Sequence, residues 1–190
     1  MKDDILALAT RPGLPDALRV LLSDYPRIGW EAHPNFSGLV EFWLERHLMF
    51  RQLLEHLNAD VKARLNRDID PARYDARLAR YGSLLVNHLH GHHQVEDNHY
   101  FPQLKQLDTR LERGFDILDR DHDAMDGLLH RFGTSANKVL RADDEAAGRE
   151  YAAAFQTELA SFGRMLDRHL SDEEEIIVPV ILKNGGAGLS

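Results

Sequence analysis

The 190-residue sequence predicts an all-α protein, an up-down-up-down four-helix bundle with a short N-terminal extension. Apolar residues recur at helical spacing in four long segments, and no stretch alternates apolar and polar residues as a half-buried strand would. Prolines, glycines or clustered acidic residues separate these segments, so the connections between them are short. Four long helices joined by short connections typically pack antiparallel as a bundle.

Residues 1–34 form the predicted N-terminal extension, which we expect to pack on the bundle. Pro15 can occupy the first position of a short helix, with Leu18 and Leu21 on its apolar face. Two prolines and a glycine make residues 25–34 an irregular stretch.

The predicted bundle domain spans residues 35–183 and begins with two long helices. The first starts near Asn35 or Ser37, since either side chain can cap a helix. The second starts at Pro71, because proline suits the first helical position. Pro102 is expected to end or kink this second helix, because proline lacks the N–H that continues the hydrogen-bond ladder.

Two further helices complete the predicted bundle. The third runs from about Asp108 to Leu140. The fourth begins at the acidic residues 143–145, whose negative charge is favourable at a helix N-terminus, and continues to Pro179. The glycine-rich residues 184–190 are expected to form a flexible tail.

Composition excludes several classes of protein. The net charge of −8 argues against a nucleic-acid surface, and the absence of cysteine excludes disulfides and thiolate sites. No apolar run approaches the roughly 20 residues that span a bilayer, and the N-terminus does not resemble a signal peptide. We therefore expect a cytoplasmic protein. The unusual feature is the content of 11 histidines.

A His-x3-Glu-x5-Pro pattern occurs twice, beginning at His92 and at His169. The histidine and glutamate of each copy lie one helical turn apart on the same face, so both can bind one metal ion. The glutamates are Glu96 and Glu173. On two facing helices, the two pairs would contribute two imidazoles and two carboxylates to one site.

His47 and His122 are the histidines that complete this set on the first and third helices. In an antiparallel bundle, two residues at the same depth are about equally far from the turn that joins their helices. The midpoints between His47 and His92, His92 and His122, and His122 and His169 all fall on predicted turns. Four histidines, one from each helix, are therefore expected in one layer.

This combination of ligands suits iron, with manganese and zinc as alternatives, because imidazoles and carboxylates are present without thiolates. Glutamates from two facing helices can each bridge two metal ions. The remaining coordination positions could hold an oxo or hydroxo bridge, water, or a small ligand such as dioxygen.

The pattern resembles the hemerythrin-like, HHE cation-binding domains over roughly residues 35–183. These domains have a histidine on the first helix, His-x3-Glu and Phe-Pro on the second, a histidine on the third, and His-x3-Glu and Pro on the fourth. The resemblance implies a non-haem di-iron centre in a four-helix bundle. The matching residues are His47, His92, Glu96, Phe101, Pro102, His122, His169, Glu173 and Pro179.

Two departures from the oxygen-carrying hemerythrins bear on function. Those proteins place a histidine four residues after the third-helix histidine, where this chain has Asp126. Their fourth helix uses a His-x4-Asp spacing, whereas this chain has His169 and Glu173. A site richer in carboxylates stabilises ferric iron and suits sensing, peroxide or oxygen chemistry, or iron handling better than reversible oxygen carriage.

We predict that one iron is bound by two histidines, the other by two histidines and a carboxylate, and that two glutamates bridge the irons. Asp126 could equally be a surface carboxylate that binds no metal. His88 and His93 could each bind a metal ion or form a hydrogen bond to one of its ligands. The predicted ligands are His47 and His92 for one iron, His122, His169 and Asp126 for the other, and Glu96 and Glu173 as bridges.

The predicted function is to bind or react with dioxygen, peroxide or nitric oxide, in sensing or in the response to oxidative or nitrosative stress. A catalase-like or oxygenase-like di-iron oxidoreductase and iron buffering are the alternatives, so enzymatic activity is left open. The expected partner is this small ligand, with no nucleic acid and no membrane. A homodimer or a separate signalling partner is also left open.

Overall fold

The computed structural model describes residues 4–36 and 38–186, and the regular structure in these residues is entirely helical. A π-helical turn at Glu96–Tyr100 joins the second helix to a short third one. The predicted fold class is confirmed, because four helices pack antiparallel as a bundle, with α2, the π turn and α3 in sequence as the second. The α-helices are α1 (Leu39–Asn66), α2 (Pro71–Val95), α3 (Phe101–Leu107), α4 (Glu112–Leu140) and α5 (Glu145–Asn184).

The chain divides into two compact units. The first, called the site unit below, comprises the described residues of 1–48, 92–124 and 167–190. The second comprises residues 49–91 and 125–166. All the predicted ligands except Asp126 belong to the site unit.

The site unit contains a buried apolar cluster. It includes residues of the N-terminal segment (residues 4–36) as well as of α1, α3, α4 and α5. Leu14, Leu21 and Trp30 of that segment are only 2–3% exposed. Gly114 of α4 permits a close approach, because a Cβ atom there would lie 2.8 Å from the carbonyl oxygen of Leu18. These contacts hold the N-terminal segment, which has only 3-10 helical turns, against the helices of the unit.

The second unit has an aromatic and apolar core of its own. Phe132 packs against Phe155 and Phe162, with ring centroids 5.3 and 5.6 Å apart. Arg64 is buried and donates two hydrogen bonds to Glu145, of 2.7 and 2.8 Å, which tie α1 to the start of α5.

The sequence predicts that Pro102 ends or kinks the second helix and that Pro179 ends the fourth, and only the prediction for Pro179 is wrong. The helix does not end at Pro102; it changes to a π turn, in which Phe101 N–H bonds to the Glu96 carbonyl, and then continues to Leu107. Pro102 thus lies in the first turn of α3, where a missing N–H costs little. Helix α5 likewise continues past Pro179 to Asn184, because burial of the surrounding apolar residues outweighs the hydrogen bond that proline removes.

Other predicted helix ends differ less. A 3-10 turn at Thr109–Leu111 precedes α4, which ends at Leu140 as predicted. Asn35, one candidate cap of α1, donates its side-chain amide to the carbonyl oxygen of Leu182 at 2.7 Å. Ser37, the other candidate, lies outside the described residues, as do residues 187–190 of the predicted tail. None of the helices in the described ranges combines the length and apolar character needed to cross a membrane.

Candidate metal centre

Seven imidazole and carboxylate side chains converge inside the site unit. α1 contributes one of them, the end of α2 two, the π turn one, α4 one and α5 two. All seven are at most 10% exposed, although each could ionise or bind a proton. They are His47, His92, His93, Glu96, His122, His169 and Glu173.

The first donor group contains His47, His92, Glu96 and Glu173, whose donor atoms all lie within 4.8 Å of one another. His92 Nε2 is 2.9 Å from Glu96 Oε1 and 3.2 Å from His47 Nε2. His47 Nε2 lies 3.5 Å from Glu173 Oε2. Two imidazoles and two carboxylates therefore face a common point.

The second donor group contains three histidines, His93, His122 and His169, again with donor atoms within 4.8 Å of one another. The Nε2 atoms of His122 and His169 are 3.1 Å apart. The His93 ring stacks on that of His122, with centroids 4.0 Å apart. Helix α2 therefore serves both groups through adjacent residues.

Glu96 and Glu173 connect the two donor groups. Glu96 Oε2 lies 3.6 Å from His122 Nε2, while its other oxygen faces His92. Glu173 Oε2 is 3.5 Å from His169 Nε2 and equally far from His47 Nε2. Each glutamate can thus reach a cation in either group, which is the position of a bridging carboxylate.

Carboxylates outside the donor groups orient three of the histidines through Nδ1. His47 Nδ1 is 3.0 Å from Glu174, and His122 Nδ1 is 2.6 Å from Asp97. His169 Nδ1 is 3.4 Å from Asp121. A carboxylate that accepts the Nδ1 proton leaves the lone pair on Nε2, which faces the donor group.

Trp43 fixes the position of Glu173. Its buried indole N–H donates to Glu173 Oε1 at 2.6 Å, and its ring contacts Tyr100 with centroids 4.9 Å apart. One oxygen of Glu173 is therefore occupied by Trp43, whereas Oε2 is directed to the histidines.

Several buried polar atoms of these groups have no hydrogen-bond partner. They include both ring nitrogens of His93, both carboxylate oxygens of Glu96, and Glu173 Oε2. Burying such atoms unpaired is costly, and native proteins rarely do so without a reason. Cations in the two donor groups would bind the glutamate oxygens and one ring nitrogen of His93, so the residues present fit a metal site.

The electrostatics of the site favour the neutral forms of His92 and His93. Burial lowers the pKa of His92 to about 3 and that of His93 well below its usual value. Burial and the charge of Glu173 raise the pKa of Glu96 well above its ordinary range. Both histidines are thus unprotonated at neutral pH, as binding to a cation requires, and the cation would compete with a proton at Glu96.

His47 and Asp121 have pKa values moved by their neighbours. Burial lowers the pKa of His47, but the charges of Glu173 and Glu174 outweigh burial and raise it overall. Burial raises the pKa of Asp121, but hydrogen bonds from Arg11 and His169 lower it overall. The shift at His47 favours a protonated imidazole, so a cation in the first donor group must displace that proton, whereas the shift at Asp121 favours its ionised carboxylate.

The structure brings together six of the seven predicted ligands. The remaining one, Asp126, has a side chain that is 62% exposed, lies 3.7 Å from His90 Nδ1, and is in neither donor group. His88 is exposed, whereas His93 is buried within the second group. The structure also adds Trp43 and Arg11, which the sequence prediction did not include.

Fold and site together define a helical-bundle protein with a buried site for cations. A family model described as the Hemerythrin HHE cation binding domain matches residues 38–181, and the chain belongs to this family. Searches of curated proteins and of solved structures returned no match.

Proposed function

We propose that the chain is a non-haem di-iron protein that binds or reacts with dioxygen, peroxide or nitric oxide, in sensing or in a stress response. The observation that carries the proposal is the pair of buried donor groups joined by two glutamates. Five imidazoles and two carboxylates without a thiolate suit iron, although manganese and zinc accept similar ligands.

The donor count assigns different roles to the two positions. His47 and His92, with Glu96 and Glu173, would offer one iron four protein ligands. His93, His122 and His169, with the same glutamates, would offer the other five. The first iron would therefore have more coordination positions without a protein ligand, where an external ligand could bind. Here His93 takes the place that the sequence prediction gave to Asp126.

Burial of the donor residues favours a small ligand over an organic substrate. His92, the donor with the most exposed side chain, is only 10% exposed. When bound, two bridged irons supply coordination of such a ligand and one-electron redox changes. The chain itself excludes water, holds Glu173 through the Trp43 indole N–H, and directs the histidine Nε2 atoms inward.

An optical titration of iron-loaded protein tests the proposal. Anaerobic Fe(II) protein is exposed to nitric oxide, dioxygen or peroxide, and the absorption spectrum and gas evolution are recorded. We expect a spectral change that reverses when nitric oxide is removed. His92→Ala should abolish the change, whereas His99→Ala, a variant of an exposed histidine in the π turn, should retain it.

The alternatives give different results in the same titration. Repeated consumption of peroxide with evolution of oxygen would favour a catalase-like enzyme. Exchangeable iron without any response to the three ligands would favour iron buffering. The first outcome would contradict a sensing role, and the second would contradict the proposed binding of or reaction with these ligands.

A further inference from the structure

Three arginines of the N-terminal segment form ion pairs with three carboxylates that flank Glu173 in the sequence. This segment, residues 4–36, precedes the part of the chain that the family model matches. The pairs are Arg11 with Asp172, Arg27 with Glu174 and Arg19 with Glu175.

Arg11 is distinguished from the other two by burial and by a second carboxylate. Its side chain is 0% exposed, and its guanidinium bonds to both oxygens of Asp121 on α4. Its Nε atom donates to Asp172 on α5 at 2.8 Å. A planar guanidinium suits this arrangement, because its donors match two carboxylates at once.

Asp121 links Arg11 to the second donor group. The Asp121 oxygen that accepts from Arg11 Nη2 also lies 3.4 Å from His169 Nδ1. The opposite nitrogen of His169, Nε2, is 3.1 Å from His122 Nε2. Arg11 therefore holds the carboxylate that sets the orientation of a donor histidine.

We propose that Arg11 is a positioning residue of the second donor group, acting through Asp121 on His169. The N-terminal segment then contributes to the cation site through Arg11 and affects the affinity for the cation in the second donor group. This inference rests on the proposed function, since it assumes that the donor groups bind cations.

A cobalt(II) titration of the full chain tests the inference, with absorbance and calorimetry to resolve the binding steps. We expect wild type to bind two Co(II) ions, one in each donor group. In Arg11→Gln, one step should weaken roughly 10–100-fold, as is usual when an outer partner of a ligand is removed, while the other step is unchanged.

Arg19→Gln is the matched control, because Arg19 lies in the same segment and also pairs with α5. Its partners are Asp16 and Glu175, and neither of these pairs with a donor histidine. Both binding steps should therefore equal those of wild type. In a His169→Ala background, Arg11→Gln should cause no further weakening, because its effect passes through His169.

Arg11→Lys addresses the risk that Arg11→Gln does not fold, since lysine keeps the charge but not the planar donors. Arg11→Lys should keep the helix content of wild type. It should weaken the same Co(II) binding step as Arg11→Gln, but by a smaller factor. If wild type shows two Co(II) binding steps and both keep their affinities in a folded Arg11 variant, this inference is wrong but the proposed function stands. Absence of Co(II) binding by wild type would overturn the proposed function as well.

Discussion

Three donor histidines are oriented by carboxylates that come from three different parts of the chain. Glu174 lies on α5, Asp97 in the π turn and Asp121 on α4. Each takes the Nδ1 side of its histidine, so the Nε2 atoms of the set face inward. These carboxylates also make the imidazoles more basic, which strengthens their binding to a cation through Nε2.

His93 and Asp126 provide a residue-level test of which side chain is the seventh ligand. We expect His93→Ala to weaken binding of one iron at least as much as loss of an outer partner, roughly 10–100-fold. Its two ring nitrogens are buried without a hydrogen-bond partner, and one of them could bind the cation of the second donor group. Iron content after dialysis against a chelator measures the effect.

Asp126→Ala is the control for this comparison. Its carboxylate is largely exposed, and we expect unchanged iron content because neither donor group includes it. Loss of iron in Asp126→Ala with full retention in His93→Ala would support the ligand set predicted from the sequence instead.

The convergence of six candidate ligands could be predicted because helical spacing and equal depth constrain them independently. His93 could not be assigned, since it lies about 100° around the helix from His92, and only the packing shows that α2 faces both donor groups. Arg11 had no sequence signal, because it is a single arginine in an irregular segment and its partners lie more than 100 residues away.

The N-terminal segment is the element whose role the sequence described least. Its apolar residues belong to the same buried cluster as those of α4 and α5, and Gly114 admits its backbone. Its arginines pair with the carboxylates that flank Glu173. The segment therefore contributes both packing and charge to the site unit.

Leu21 and Ile28 test whether the packing of this segment stabilises the fold. Leu21 is 2% exposed in the apolar cluster, so Leu21→Ala should lower the free energy of unfolding by roughly 2–5 kcal/mol. Ile28 is 97% exposed, and Ile28→Ala should change it by less than about 0.5 kcal/mol. Urea denaturation followed by circular dichroism measures both. If Leu21→Ala lowers the free energy of unfolding as little as Ile28→Ala does, packing of this segment does not stabilise the fold.

The prolines show where local rules failed for whole elements. Pro102 and Pro179 are read correctly as breaks in the hydrogen-bond ladder, but neither ends its helix. A π turn precedes Pro102, and the helix continues after it. Burial of residues 176–182 favours continuation of α5 past Pro179. Tertiary packing of this kind cannot be inferred from the residue before or after a proline.

At the scale of the molecule, the turns were predictable because prolines and clustered acidic residues mark the starts of helices. The observed breaks fall between Asn66 and Pro71, after Leu107, and between Leu140 and Glu145. The midpoints between the four histidines lie at or beside these breaks. The fold thereby brings ligands separated by more than 100 residues of sequence into one buried layer of the site unit.

The central claim is that this layer binds two bridged cations, and anomalous diffraction at the iron absorption edge tests it most directly. Crystals of iron-loaded protein should give two peaks per chain, one beside His47 and His92 and one among the three histidines of the second donor group. Glu96 and Glu173 should contact both peaks. A single peak, no peak, or peaks bound by other residues would contradict the account.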